Sequence, residues 1–393
     1  MQEAVIVGYA RTPTGRFTGG LAGLSAVELG GRAITAALER ARVTPDAVDQ
    51  VTMGHVLQAG QGQITARQAA ASAGIGMEVP ALTVNKVCLS GMAAVALADQ
   101  AIKLGEAGLV VAGGMESMSN APYLLPKARH GYRMGDGTLV DSMIHDGLWC
   151  AFDDEHMGAG SDRVNALHGI DRVRQDAWAA RSHERAATAW KEGRLAGEVI
   201  DVEVPQRKGD PLVVDRDEGV RPDTTMESLA GLKPAFTRDG TITAGNASQV
   251  SDGAAALVLA STDRARELGL TPLGRVRAYG QVAGPDPSLH HQPAAAVRAA
   301  AAKLDADPSG FDLYEINEAF AAVAIHATDL LSVDESRVNA DGGAVAVGHP
   351  IGATGARITL AVLDQLRRRG GGRGAAALCG GGGQGDALII ETA

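Results

Sequence analysis

One layout is written twice along this chain, at an offset close to 263 residues. Thr44-Pro45 leads into Val48 to Gly54, and Asp307-Pro308 leads into Phe311 to Asn317; Pro45 and Pro308 are 263 residues apart, as are Asp49 and Asp312. An alanine-rich stretch precedes each, at Gly30–Arg42 and Pro293–Leu304. Downstream, Cys88-Leu89-Ser90-Gly91 opens a helical run from Met92 to Leu104, followed by Gly105, apolar Leu109–Ala112 and Gly113-Gly114. His349-Pro350-Ile351-Gly352-Ala353-Thr354-Gly355 opens a second, from Ala356 to Arg369, followed by glycines, apolar Ala375–Leu378 and the run Cys379 to Gly383. Cys88 and His349 are 261 residues apart, Gly91 and Gly355 264. A steady offset of this size reads as a duplication.

Alternating strands and helices within each copy predict an α/β fold of mostly parallel sheets covered by helices. Cys88 and His349 would then occupy equivalent strand-to-helix turns. Between the copies, residues 118–250 are irregular and rich in Gly, Asp, Arg and His, which predicts an inserted loop domain carrying substrate contacts. The expected division is residues 1–117 with 251–270, the insertion 118–250, and a second half over 271–393.

Composition narrows the function. The chain has 393 residues, 45% of them hydrophobic, with 51 glycines and only 3% aromatics, so burial must rest on Ala, Val, Leu and Ile. A net charge of −10 argues against nucleic acid as a partner. No apolar run approaches the ~20 residues of a membrane helix. The start, Met1 to Gly8, lacks a basic segment and a long apolar core. The three cysteines, Cys88, Cys150 and Cys379, are scattered and lack metal spacing. A cytoplasmic, reducing setting without a metal is the expectation.

Four stretches can carry chemistry. Cys88 follows an apolar strand and precedes a helix, whose N-terminal N–H groups and dipole favour a thiolate. A cysteine there can also be a small buried residue. His349, in the glycine-dense Gly342–Pro350, can take a thiol proton near neutral pH or serve as a core or capping histidine. Cys379 opens Cys379-Gly380-Gly381-Gly382-Gly383-Gln384-Gly385. No helix of the dinucleotide pattern follows, so an oxyanion site of backbone N–H groups suits it better than a phosphate cradle. Asn317, at the end of the strand Leu313–Ile316, can hold a water or a carbonyl oxygen, or cap a helix over Ala319–Ala327.

Together these stretches resemble the thiolase family over essentially the whole chain. Asn85-Lys86-Val87-Cys88-Leu89-Ser90-Gly91 resembles its nucleophile motif. Asn317-Glu318-Ala319-Phe320, Gly348-His349-Pro350 and Cys379-Gly380-Gly381 resemble the three others, in the family's order. Two positions depart from the pattern: Leu89 stands where a small residue is common, and Asp386 follows a glycine run longer by one.

The resemblance implies a thiolase fold, with duplicated βαβ halves in a five-layered α-β-α-β-α core plus the loop domain. It implies Cys88 as acyl-accepting nucleophile, His349 as its activator and Cys379 as the acid/base at the α-carbon of a second acyl group. Asn317, through a water, and His349 would form one oxyanion hole; the N–H groups of Cys88 and Gly381 would form the other. Coenzyme A thioesters would be substrates, with no separate cofactor. Leu148, Met157, Phe236, Ala319 and Phe320 would line the channel, Ser248 would touch the pantetheine arm, and Arg221 would stack by the adenine. His156, Ser228 and Ala244 lie in segments that resemble those holding coenzyme A. Met118–Asp141 resembles the loop through which tetrameric members associate. His156-Met157-Gly158 resembles short-chain members, which join two acetyl-CoA into acetoacetyl-CoA and CoA and run the reverse.

A degradative 3-ketoacyl-CoA thiolase of broader range stays open as an alternative, as does an inactive acyl-CoA or lipid-binding relative. A decarboxylating ketoacyl synthase would replace Cys379, and a nicotinamide oxidoreductase would need a strand–Gly-x-Gly-x-x-Gly–helix unit that is missing.

Overall fold

Asp49 and Asp312 do the same work in the two halves. Asp49 Oδ2 accepts the N–H groups of Gly108 and Leu109, both at 2.8 Å, and Asp312 Oδ2 accepts that of Arg373 at 2.8 Å. Each carboxylate thereby joins the start of one parallel strand to the start of its neighbour, which fixes register where the sheet begins. The computed structural model describes residues 2–392. Met1 and Ala393, at the outer ends of the two expected halves, lie outside the described residues.

The first sheet contains β1 (Ala4–Arg11), β2 (Gln50–Gly54), β3 (Ala81–Val84), β4 (Leu109–Ser117) and β5 (Ser251–Ser261), in the order β1-β5-β4-β2-β3, with a two-residue strand at Gly15–Arg16 beside β5. The second contains β6 (Arg275–Ala283), β7 (Leu313–Ile316), β8 (Gly372–Gly380) and β9 (Gln384–Thr392), in the order β6-β9-β8-β7. Only β2–β3, β2–β4 and β7–β8 pair in parallel; the other pairs in both sheets are antiparallel. The expected mostly parallel sheets are therefore mixed. Each half closes with an antiparallel strand: β8 turns into β9 through three residues, 381–383, whereas β4 reaches β5 only through the insertion 118–250.

Three apolar clusters separate five layers. Helix α1 (Ala26–Ala41) packs Leu29 and Ile34 against Val51, Val111 and Val258 of the first sheet. Helices α2 (Ser90–Leu104) and α5 (Thr354–Arg368) lie between the sheets, where Met92, Val95, Ile358 and Leu360 meet Val110 and Leu257 on one side and Leu378 and Leu388 on the other. Helices α3 (Gln292–Ala302) and α4 (Ala321–Leu331) cover the far face with Val297 and Ile325. The α-β-α-β-α order follows. Each large side chain buried in these layers contributes roughly 1.5–3 kcal/mol.

The central pair approaches closely because glycines sit where the helices meet. A β-carbon on Gly91 would stand 2.8 Å from Ala356 N, and one on Gly355 2.3 Å from Met92 N. The window Val87–Leu104, with mean hydropathy 1.4, is long and apolar enough by composition to cross a membrane, contrary to expectation. It is 67% buried in the fold and forms the central layer.

Residues 118–250 are more regular than their composition suggested. They contain the helices Met157–His168 and Arg172–Lys191, each started by a side-chain cap, His156 and Asp171 respectively. Trp178 anchors the second by donating its Nε1 hydrogen to Glu318 Oε1 at 2.8 Å.

Candidate active site

Cys88 occupies the turn between β3 and α2. Ser90 Oγ accepts the N–H of Lys86 at 2.8 Å and donates to the carbonyl of Val87 at 2.6 Å, so the chain reverses before the helix begins. Val87 takes a left-handed φ of 50°, uncommon for a β-branched residue. Cys88 is 6% exposed, and burial pushes its thiol up to about 12. The N–H groups of Cys88 and Gly381 pull the other way, and the Glu116 carboxylate adds to the rise. The expected thiolate is therefore a thiol at rest. A helix dipole contributes ~0.3–1 kcal/mol, less than one pKa unit, and cannot offset removal from water.

His349 does not follow a strand. A four-residue helix, Ala344–Val347, precedes it, and Gly348 turns the chain with φ 109°. The equivalence with Cys88 therefore holds only on the helix side, where α5 begins. His349 is buried, and burial, with Arg357 second, lowers its pKa to about 3. Its Nδ1 lies 2.7 Å from Thr354 Oγ1, and its Nε2 lies 3.4 Å from Asn317 Nδ2. Glu116 fixes the same turn from the first half: its carboxylate accepts the N–H groups of Val56, Leu57 and Gly352 at 3.1, 3.2 and 3.0 Å.

Cys379 lies inside β8, which runs on through Gly380, rather than opening a loop. It is 1% exposed, and burial followed by the nearness of Cys88 pushes its thiol up. Asn317 is not a helix cap; α4 starts at Ala321 behind Phe320. Its Oδ1 is buried without a partner among the described residues.

Cys88, His349, Cys379 and Gly381 share one cavity of about 50 Å³. Leu148, His156, Met157, Ser248, Ala319 and Phe320 line it, as do Leu289 and Ile351, which the sequence did not mark. Phe236 stands one layer out, stacked on His156 at 4.6 Å and edge-on to Phe320 at 5.9 Å. Three expected contacts lie outside. Arg221 is exposed, its N–H donating to His183 at 3.1 Å; Ser228 is an exposed partner of Thr225 in a capping box; Ala244 is exposed.

The family descriptions for the thiolase N-terminal and C-terminal domains match residues 4–263 and 270–392. The chain belongs to the thiolase family. Among its relatives, a protein described as "Probable acetyl-CoA acetyltransferase" from Mycolicibacterium smegmatis is 55% identical over 98% of this chain and 100% of its own length. The "Acetyl-CoA acetyltransferase" of Cupriavidus necator is 50% identical over the full length of both chains, and that of Pseudomonas aeruginosa 49% over 99% of each. The thiolase fold thus brings together side chains from both halves: Cys88 from the first, and Asn317, His349 and Cys379 from the second.

Proposed function

We propose that this thiolase is an acetyl-CoA C-acetyltransferase, joining two acetyl-CoA into acetoacetyl-CoA and CoA and running the reverse thiolysis. The observation that carries this reading is the size of the shared cavity. A cavity of about 50 Å³ that Cys88 and Cys379 both line, with Met157 and Leu289 in its wall, suits a two-carbon acyl group.

A neutral resting site supports a balanced proton circuit. Cys88 attacks the thioester carbonyl and passes its proton to His349 Nε2, while the departing CoA sulfur takes a proton from Cys379. An acetyl-Cys88 thioester and a His349-imidazolium/Cys379-thiolate pair remain. Burial makes that thiolate a strong base, suited to the weakly acidic α-carbon of the second acetyl-CoA. Cys379 recovers its proton from that carbon. The enolate oxygen is stabilised by His349 and by a water held at Asn317. The enolate carbon then attacks the acetyl group, the Cys88 sulfur leaves, and His349 returns the proton. The N–H groups of Cys88 and Gly381 stabilise the oxyanion at Cys88. Splitting the condensation through a thioester replaces one difficult step with two easier ones.

Thiolysis kcat/KM should therefore fall steeply from acetoacetyl-CoA to 3-ketohexanoyl-CoA and further at 3-ketodecanoyl-CoA. Displacing packed side chains costs ~1–3 kcal/mol, or about 5- to 150-fold. Equal efficiency on the longest substrate would make this a degradative thiolase. A cytoplasmic setting is the companion proposal, since the circuit needs thiols and all three cysteines are free. The homotetramer is proposed on the exposed apolar side chains of the Met118–Asp141 segment, among them Tyr123, Met134 and Leu139. Light scattering should give four chains of 40.2 kDa rather than one.

A further inference from the structure

The turn that carries Cys88 is held by groups that the proton circuit does not use. Lys86 Nζ lies 2.8 and 3.1 Å from the two carboxylate oxygens of Asp386, and Tyr279 donates its hydroxyl hydrogen to Asp386 Oδ2 at 2.8 Å. The Asp386 side chain is fully buried and that of Lys86 16% exposed. Burial pushes the Asp386 carboxyl up, and Lys86 pulls it back. A buried ion pair is weak evidence of a stabilising device, because an apolar pair of similar volume commonly serves as well or better. Its placement says more. Lys86 stands two residues before the nucleophile, in the first half. Asp386 lies opposite Leu378 on the strand paired with β8, so the next rung is Cys379 opposite Gly385. Tyr279 sits on β6, opposite Leu388 of that same strand.

Between Lys86 and Cys88 comes Val87 in its left-handed conformation, a strained state that persists only where its surroundings over-determine it. Asn85 Oδ1 accepts the Val87 N–H at 3.1 Å on the same turn. Val87 Cγ1 lies 3.5 Å from the place a β-carbon on Gly381 would take. The strained residue therefore packs against the glycine whose N–H faces the Cys88 sulfur. We propose that Lys86, Asp386 and Tyr279 are positioning residues that clamp this turn, so that Cys88 faces Cys379 and the N–H of Gly381. The inference rests on the acyl-transfer reading above and adds to it the means by which the two halves are held in catalytic register. Asp386, which follows the longer glycine run, thereby acquires a function.

Asp386→Asn, Tyr279→Phe and the paired Lys86→Met/Asp386→Leu test the clamp, with far-UV circular dichroism establishing that each is folded. In acetoacetyl-CoA thiolysis kcat should fall about tenfold or more in Asp386→Asn and in the paired variant, with KM for CoA nearly unchanged, because misplacement of reacting groups is costly even where binding survives. Tyr279→Phe should move kcat the same way by less. Alkylation of Cys88 by iodoacetamide, followed by peptide mass spectrometry across pH, gives a second readout that general loosening would not produce. The Gly381 N–H stabilises the thiolate, so its displacement should shift the onset of alkylation to higher pH. Wild-type kcat and an unmoved alkylation profile in any two folded variants would overturn the clamp. A wild-type chain that never acylates Cys88 would overturn the acyl-transfer reading instead, and the alkylation profile would still decide the clamp.

Discussion

Thr354 Oγ1 lies 2.7 Å from His349 Nδ1 and 2.9 Å from the carbonyl of Pro350, to which it donates. Its single hydrogen is thus committed, so His349 must carry its own hydrogen on Nδ1 and present a bare Nε2 toward Asn317. That tautomer is the one a proton acceptor for Cys88 requires. Thr354→Val removes the acceptor and should lower kcat by about tenfold or more while sparing KM; Thr354→Ser should restore most of it. Equal kcat in Thr354→Val and wild type would remove Thr354 from the account.

The pH dependence of stability follows from His349. Unfolded, it takes a proton near the ordinary value of 6.5; folded, it resists down to about 3. The depressed group therefore contributes stability above pH 6.5, lost as pH falls toward 3, at ~1.4 kcal/mol per unit in that window. His183 and His290, lowered mainly by burial to about 4 and about 3, act in the same direction. Urea unfolding from pH 7 to 4 should show falling stability, with a slope about one proton shallower in His349→Gln. An identical slope in the variant would place the His349 pKa near its ordinary value.

Met157 and Leu289 line both the small cavity and a larger one of about 490 Å³ beyond it. They are the partition. Met157→Ala should raise 3-ketohexanoyl-CoA thiolysis relative to acetoacetyl-CoA by about 5- to 150-fold, the range set by relief of overpacking. An unchanged ratio would mean that chain length is limited elsewhere.

The duplication was legible because Asp49 and Asp312 perform a local task, joining strand starts, that the residue type declares at both positions. The four residues proposed to carry the reaction, Cys88, Asn317, His349 and Cys379, were legible as motifs. Its electrostatics were not, because the Cys88 thiol is governed by burial that only tertiary packing supplies. The strand expected before His349 failed because four apolar residues, Ala344–Val347, carry too little periodicity to separate strand from helix. Leu289 follows a Pro-Asp-Pro-Ser stretch with no pattern to mark it. Lys86 and Asp386 lie 300 residues apart, so neither announces the other. Arg221, Ser228 and Ala244 entered through resemblance alone, and no periodicity or polar spacing fixed their distance from Cys88.

Cys379→Ala separates the two chemical steps. The variant should still become acetylated, more slowly because the departing CoA sulfur must take its proton from the His349 imidazolium or from water. It should lose deuterium exchange at the acetyl methyl, with condensation down by about 10²–10⁴-fold, the usual contribution of a positioned acid/base. Retained exchange would move the α-proton base to another residue.

Brief incubation of the wild-type protein with acetyl-CoA, followed by acid quench and peptide mass spectrometry, tests the acyl-cysteine circuit most directly. One acetyl group is expected, on the peptide containing Cys88, with its removal on adding CoA. Acetyl on Cys379 or Cys150, or no acetyl-enzyme at all, would contradict it.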